Sequence, residues 1–495
     1  LTAQPNILVV MADQLAASAV PAYGNDVVRA PHLERLGAEG VVFERALCAS
    51  PLCAPSRASL MTGLLPSRTG AIDNAGVLPS PVPTFAHHLR AAGYRTVLAG
   101  KMHFIGPDQL HGFEERPVPD VYPAGLDWIP DWRREDGERL PWYHDLSSVI
   151  RAGPVRATLQ LAYDEEVAAA ARRAIAETAR DSSRPLLLVA SFTHPHDPYE
   201  VPADVWGRYD AVEIDAPVFS GPPDPVDLPT RRLRTMLEFD RTPVSLEQVL
   251  AARRGYYAAI SVVDDHVGAL LATLSEQGLA DDTIVVVVSD HGDMLGERGL
   301  WYKMAPFESS IRVPLVVHAP RRFAARRVAM PVSLLDLAPT LVELGGATAM
   351  QRVDGLSLAG ALAGDAAPVR DLPLEYLAEG VRSAQVTLVR GSLKLVRGFG
   401  EPDLVYDVAC DPGERVNLAD DPSRRDEVKS LRAGVDARWD LAALDADVRV
   451  SQARRRLVAE ALATGKVAAW DPPGAGPYIR TGDDFWEALE SARRV

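Results

Sequence analysis

Thr283-Ile284-Val285-Val286-Val287-Val288-Ser289-Asp290-His291-Gly292 runs from an unbroken apolar segment straight into an acid and an imidazole. The segment shows no polar alternation, so both faces of the strand it predicts must be covered, as in a parallel sheet flanked by helices. Residues 7–11, 96–99, 186–190 and 315–317 read the same way. Helical patterns lie between them at residues 30–40, where Pro31 suits a first helical turn, and at 246–274. Apolar strands that alternate with helices predict an α/β fold built on a largely parallel sheet.

At 495 residues the chain is long enough for more than one domain. A stretch containing Gly and Pro at 361–373 follows the helix-like 334–344 and sets the expected boundary. Residues 1–368 form the larger, catalytic domain, and residues 369–495 a smaller C-terminal α+β unit with a helical extension and tail. Within the second unit, 386–396 and 404–408 read as a small sheet and 427–463 as helix. Residues 201–230, rich in Pro and Asp, read as a long loop over the surface or a site mouth.

The formal net charge of -15 argues against nucleic acid as a partner, so any bound anion needs a local cluster of positive groups. No uninterrupted apolar run is long enough to span a bilayer, and residues 1–5 lack the features of a secretory signal, so no membrane partner is expected. Three cysteines, Cys48, Cys53 and Cys410, are too few and odd in number for a disulfide framework, which points to a cytoplasmic protein.

Four of the apolar runs end in chemically capable residues: Asp13 with Gln14, Lys101 with His103, His194 with His196, and Asp290 with His291. In a doubly wound sheet the carboxyl ends of the strands share one edge, where ligands bind. Any one of these residues alone would read as a turn or helix cap; four together read as a site. Asp13, Gln14, Asp290 and His291 supply mostly oxygen ligands, which suit Ca²⁺ or Mg²⁺, while the imidazole leaves room for Mn²⁺.

The sharpest motif is Cys53-Ala54-Pro55-Ser56-Arg57. Pro and Ser can open a helix there, which puts residue 53 at the positive helix end with free backbone N–H groups for an anion, and Arg57 adds a cation one turn on. Together with Gly100-Lys101-Met102-His103, His194-Pro195-His196-Asp197-Pro198-Tyr199, Ser289-Asp290-His291-Gly292 and Lys303, it makes the sequence resemble the sulfatases of the alkaline phosphatase superfamily, over nearly the whole chain. Within that group Pro51-Leu52-Cys53, Trp142-Tyr143-His144 and the stretch from Gly292 to Trp301 resemble the choline sulfatases.

The resemblance implies an alkaline phosphatase-like fold, with a large mixed, mainly parallel sheet, and hydrolysis of a small-molecule sulfate ester. Cys53 would be oxidised by a formylglycine-generating enzyme, and the hydrated formylglycine would attack sulfur with one hydroxyl and release sulfate through the other. Asp13, Gln14, residue 53, Asp290 and His291 form the implied metal set, with calcium the expected ion. Arg57, Lys101 and Lys303 complete the positive cradle. His194 is the implied acid and His103 the implied base, an assignment open to exchange. Asn74 reads either as a sulfate donor or as a turn residue.

For a quaternary ammonium alcohol the resemblance selects Trp128, His144, Glu379 and Asp484, with Asp483 the alternative to the last, since aromatic faces and carboxylates are what such a group can bind. A homodimer or homotetramer is implied by the C-terminal extension. Two rival readings stand beside these: a phosphonate monoester or phosphodiester hydrolase of the same superfamily, and a non-catalytic binding protein in which Cys53 stays unmodified.

Overall fold

The computed structural model describes residues 4–134, 138–367, 369–466 and 470. Its larger sheet comprises β1 (Asn6–Ala12), β2 (Val41–Phe43), β3 (Arg95–Gly100), β4 (Glu115–Val118), β5 (Leu186–Ser191), β6 (Thr283–Ser289), β7 (Leu315–His318) and β8 (Arg326–Val328), in the spatial order β8-β2-β7-β6-β1-β5-β3-β4. All neighbours pair in parallel except β7, which is antiparallel to both β6 and β2, so the sheet is mixed and mainly parallel. The continuous apolar runs have the expected cause. Leu8, Val10 and Ala12 of β1 enter one core and Ile7, Val9 and Met11 the other, because successive side chains point to opposite faces.

Helices cover both faces. α1 (Pro31–Glu39), α4 (Leu159–Arg180) and α5 (Leu246–Glu276) pack on the first; α2 (Cys53–Thr62), α3 (Phe85–Ala91) and α6 (Leu337–Leu344) pack on the second. α5 opens on a capping box in which Ser245 and Gln248 satisfy each other's backbone N–H groups. By length and hydropathy alone α5 could cross a membrane, which the reading of uninterrupted runs missed; 61% of its most apolar window is buried inside this protein.

The smaller sheet is antiparallel, β9 (Leu372–Tyr376), β10 (Gln385–Arg390), β11 (Leu393–Gly398) and β12 (Leu404–Asp407), backed by α7 (Arg425–Arg438) through Val428, Leu431 and Val435. The single helix expected over 427–463 is two. α7 stops before Trp439, and Asp440 caps α8 (Leu441–Leu462) by accepting from Ala443 N at 3.0 Å. The 201–230 segment is less loop-like than expected, since it contains a short helix at Ala203–Gly207 and ends in the helix Leu228–Met236. The smaller unit is tied to the larger: Glu375 N donates to Ala49 O at 2.9 Å, and α8 folds back onto the loops around Asp73 and Trp132.

Candidate active site

β1, β3, β5 and β6 end along one edge of the sheet and deliver their polar residues there. Glycine permits two of these turns. Gly100 has φ +104°, and a Cβ on it would lie 2.1 Å from the Ser191 carbonyl oxygen; a Cβ on Gly292 would lie 2.1 Å from that of Ser309. α2 begins at Cys53 after an extended Leu52 that supplies no side-chain cap, so its first-turn N–H groups look outward. Ala54 N takes Asn74 Oδ1 at 3.1 Å. Farther in, Ser56 Oγ donates to Asp290 O at 2.6 Å and Arg57 Nε to Asp290 Oδ2 at 2.7 Å, which fastens the helix to the end of β6.

Asp13, Cys53, Asp290 and His291 are buried and offer donor atoms within 4.8 Å of one another. Cys53 Sγ lies 3.2 Å from His291 Nε2 and 3.9 Å from Asp13 Oδ1, and His291 Nε2 lies 3.8 Å from both Asp13 Oδ1 and Asp290 Oδ2. Burial alone would raise both carboxyls. Lys101 and Arg57 outweigh it at Asp13 and Arg57 outweighs it at Asp290, so both are held below the usual carboxylate range. Burial pushes the His291 imidazole down, towards its neutral form. Two anionic carboxylates, a neutral imidazole and residue 53 are a donor set that fits a hard divalent cation.

Gln14 stands beside this cluster with its amide engaged elsewhere. Its Oε1 accepts from Lys303 Nζ at 2.6 Å and its Nε2 donates to Asp293 Oδ2 at 2.6 Å. Lys303 also reaches His196 Nε2 at 2.6 Å and His144 Nε2 at 3.4 Å. Burial first, then Lys303, pushes both imidazoles well below their usual range, so they are neutral acceptors. His144, His196 and Asp197 also have the spacing of a metal site, but an amine donating into the same two rings opposes a cation there.

Above residue 53 opens a cavity lined by Asn74, His103, Tyr122, Trp128, Trp142, His144, His196, Asp197, Lys303 and Glu379. The His103 ring stacks on Tyr122 with centroids 5.1 Å apart and meets Trp128 edge-on at 5.7 Å. Neither of its ring nitrogens has a partner among the described residues, which leaves both for a ligand. Its backbone N and that of Met102 donate to Asp120 Oδ2, which fixes the turn in spite of the positive φ of His103. Glu379 Oε2 is buried without a hydrogen bond among the described residues, and burial pushes its carboxyl up to about 7.

Cys53, Asn74, His103, Trp128, His144, Lys303 and Glu379 thus meet in one cavity, with Arg57, Lys101, Asp13, Asp290 and His291 beneath residue 53. His194 does not line it. Its Nδ1 pairs with Asp164 Oδ2 of α4 at 2.6 Å, and the imidazole that enters the cavity is His196. The sequence offered both histidines two positions apart, and the turn closed by His196 N on Thr193 O breaks the alternation that would have put them on one face. Tyr122 and Trp142 are further lining residues that sequence reasoning did not select; Trp142 was visible only as one aromatic among several. Asp484 and Asp483 lie outside the described residues.

A family model described as sulfatase matches residues 5–347, and one described as N-sulphoglucosamine sulphohydrolase, C-terminal, matches residues 296–438. Choline-sulfatase of Rhizobium meliloti (strain 1021) is 44% identical over 483 residues, covering 95% of this chain and 94% of that protein. Two solved structures share the fold: BT4656 in complex with D-glucosamine-2-N,6-O-disulfate (TM-score 0.69, 21% identity, 91% of this chain and 99% of that one) and the phosphonate monoester hydrolase of Agrobacterium radiobacter (TM-score 0.67, 24% identity, 92% and 96%). With a buried cluster of two aspartates, a histidine and a helix-borne cysteine set beneath a cavity, and a family match over most of the chain, the protein belongs to the sulfatase family and is a sulfuric ester hydrolase.

Proposed function

We propose that the substrate is choline sulfate, cleaved to choline and sulfate by a formylglycine made from Cys53. The observation that carries this reading is the cavity above residue 53, where Trp128, Trp142 and the buried Glu379, whose Oε2 has no hydrogen bond among the described residues, stand over the cluster of Asp13, Asp290 and His291. The 44% identical relative named choline-sulfatase supports it. A quaternary ammonium group cannot donate an N–H hydrogen bond, so aromatic faces and a nearby carboxylate are the means left to hold it.

Formylglycine, installed by a formylglycine-generating enzyme and hydrated by one water, would supply one hydroxyl to attack sulfur and a second to release the sulfate; the thiol Sγ stands where those oxygens would be. A divalent cation, which we take to be Ca²⁺, would be held by Asp13, Asp290 and His291 next to residue 53, with the Gln14 amide turning in from Lys303, and would acidify the attacking hydroxyl and neutralise sulfate oxygens. Arg57 and Lys101 hold the two aspartates ionised and add positive charge beneath residue 53. Asn74, with Oδ1 committed to Ala54 N, keeps Nδ2 to donate to a sulfate oxygen. His103 accepts the proton of the second hydroxyl. Lys303, whose ammonium stands in the cavity and donates to the neutral His196 Nε2, delivers a proton to the leaving alkoxide, the role expected of His194. The reading extends to a cytoplasmic homo-oligomer, since three cysteines are too few and odd in number for a disulfide framework.

The test is selectivity. Choline sulfate is expected to be preferred over an uncharged alkyl sulfate of similar size, with cation–π attraction of about 0.5 to 2 kcal/mol contributing roughly two- to thirtyfold. Trp128→Ala should erode that preference while changing turnover of an activated aryl sulfate much less. Equal kcat/KM for choline sulfate and its neutral isostere in the wild-type enzyme would remove the choline assignment.

Glu379 adds a pH dependence. With its carboxyl at about 7, the anion that attracts the cation forms as pH rises, so KM for choline sulfate should fall about tenfold between pH 6 and 8, the ratio of the ionised fractions. The stability term has the opposite sign. The folded state keeps a proton that the unfolded chain releases from about 4.5 upward, so Glu379 contributes less stability as pH climbs to about 7. Glu379→Gln should flatten the KM profile; a profile that survives the substitution assigns the titration to another group.

A further inference from the structure

α8 lies far along the chain from the strand ends, yet it grips two walls of the cavity. Gln452 Oε1 accepts from Trp132 N at 3.1 Å and Arg456 Nη1 donates to Pro130 O at 3.0 Å, which steadies the stretch carrying Trp128. Beside them Arg455 Nη1 and Nη2 meet Asp73 Oδ1 and Oδ2 at 2.5 and 2.6 Å. Asp73 is fully buried, and its Oδ1 also accepts from Ala75 N at 3.0 Å while its carbonyl accepts from Gly76 N at 2.9 Å. A two-pronged arginine–carboxylate pair fixes orientation as well as distance, and a buried carboxylate has no water to exchange it for. The turn so locked presents Asn74, whose Oδ1 sits on Ala54 N and whose side chain lines the cavity.

We propose that Arg455 is a positioning residue for sulfate-ester hydrolysis, acting through Asp73 to hold Asn74 beside residue 53 as a donor to the transferred group. This rests on the reading of Asn74 as that donor. In the sequence Arg455 is one of several arginines along a helix, with nothing to connect it to a residue 382 positions away; the pairing makes the C-terminal helix part of the catalytic architecture.

The test measures turnover of choline sulfate and of an uncharged aryl sulfate in Arg455→Met, Arg455→Lys, Asn74→Ala and the Asn74→Ala/Arg455→Met pair. Arg455→Met should lower kcat about ten- to hundredfold on both esters with their ratio preserved, since a misplacement of about 1 Å can lower rates about 100-fold. Arg455→Lys should restore part of the loss, and the pair should be no slower than Asn74→Ala alone. An unpaired buried Asp73 destabilises the turn, so Asp73→Asn/Arg455→Met, which removes both charges, should show the same loss of kcat with an unchanged thermal midpoint. Losses that multiply in the Asn74→Ala/Arg455→Met pair, or an Arg455→Met enzyme at wild-type turnover, would overturn the proposal. Full activity in Asn74→Ala would overturn the reading of Asn74 itself, and the proposal with it, in a variant that leaves Arg455 untouched.

Discussion

Replacing Cys53 by Ser is expected to cut steady-state turnover by about ten-thousand- to a million-fold, the scale seen when a catalytic nucleophile is removed, while fold and metal content stay unchanged. The structure gives the reason for the selectivity of the effect. Residue 53 is the first residue of α2, and its side chain lines the cavity, so a hydroxyl there leaves the helix and its packing in place. Serine Oγ would occupy the place of Sγ, 3.2 Å from His291 Nε2, where the same cations and helix end are available for one attack on sulfur. It offers no second hydroxyl on the same carbon, so sulfate stays on the serine. The expected readout is a burst of alcohol equal to the enzyme present, followed by silence, with the residue-53 peptide heavier by one SO₃ group. Cys48 provides the control. It is equally buried, but burial pushes its thiol up and it sits outside the cavity, so Cys48→Ala should keep turnover within a few-fold. Sustained turnover by the serine variant would exclude the hydrated-aldehyde mechanism, and an unmodified thiol in active wild-type enzyme would do the same.

How much of this was legible in the sequence follows from which interactions are local. The five apolar runs declare their strands because each is buried on both faces, and the ends of four of them carry residues of the candidate site. Val41–Phe43, Glu115–Val118 and Arg326–Val328 were not legible: they are three or four residues long, lie towards the sheet edges, and form through hydrogen bonds to strands elsewhere in the chain. The direction of β7 was hidden too, since Leu315–His318 is as apolar as its parallel neighbours and its antiparallel course is set by connections. In the site, residues adjoining a strand end or a helix start were readable. Those placed by tertiary turns were not, hence the expectation of His194 in the cavity that His196 lines, and the omission of Tyr122 and of Arg455.

Removal of the divalent cation is expected to abolish hydrolysis without unfolding the protein, and Asp290→Asn to weaken cation binding more than about 100-fold, beyond the 10- to 100-fold typical of residues outside the ligand set. Charge balance decides the first part. Arg57 lies 2.7 Å from Asp290 and 3.6 Å from Asp13, and Lys101 is in contact with Asp13, so both carboxylates are compensated by this chain's own cations. Because their carboxyls are depressed, the stability they contribute is complete above the usual carboxylate range and is lost only as pH falls below it; with both charges compensated, the metal-free site is expected to keep its shape at neutral pH. The thermal midpoint after exhaustive chelation should therefore drop by a few degrees at most, while activity disappears and returns with added Ca²⁺. Asp290→Asn separates the two roles. Asparagine can still accept from Gln14 N and His291 N with one oxygen, but its NH₂ then faces Arg57 Nε, donor against donor, in place of the 2.7 Å charged hydrogen bond. Breaking a buried pair in this way destabilises by about 3 to 5 kcal/mol at most, softened here because Arg57 keeps the Lys101 carbonyl and Ser191 Oγ. A hard cation loses a full negative charge, which no rearrangement of the remaining ligands restores. Calorimetric titration of Ca²⁺ into the metal-free wild type and variant checks the affinity, and a melting curve checks the fold; undiminished hydrolysis by protein shown by elemental analysis to hold no divalent metal would refute the assignment of this cluster.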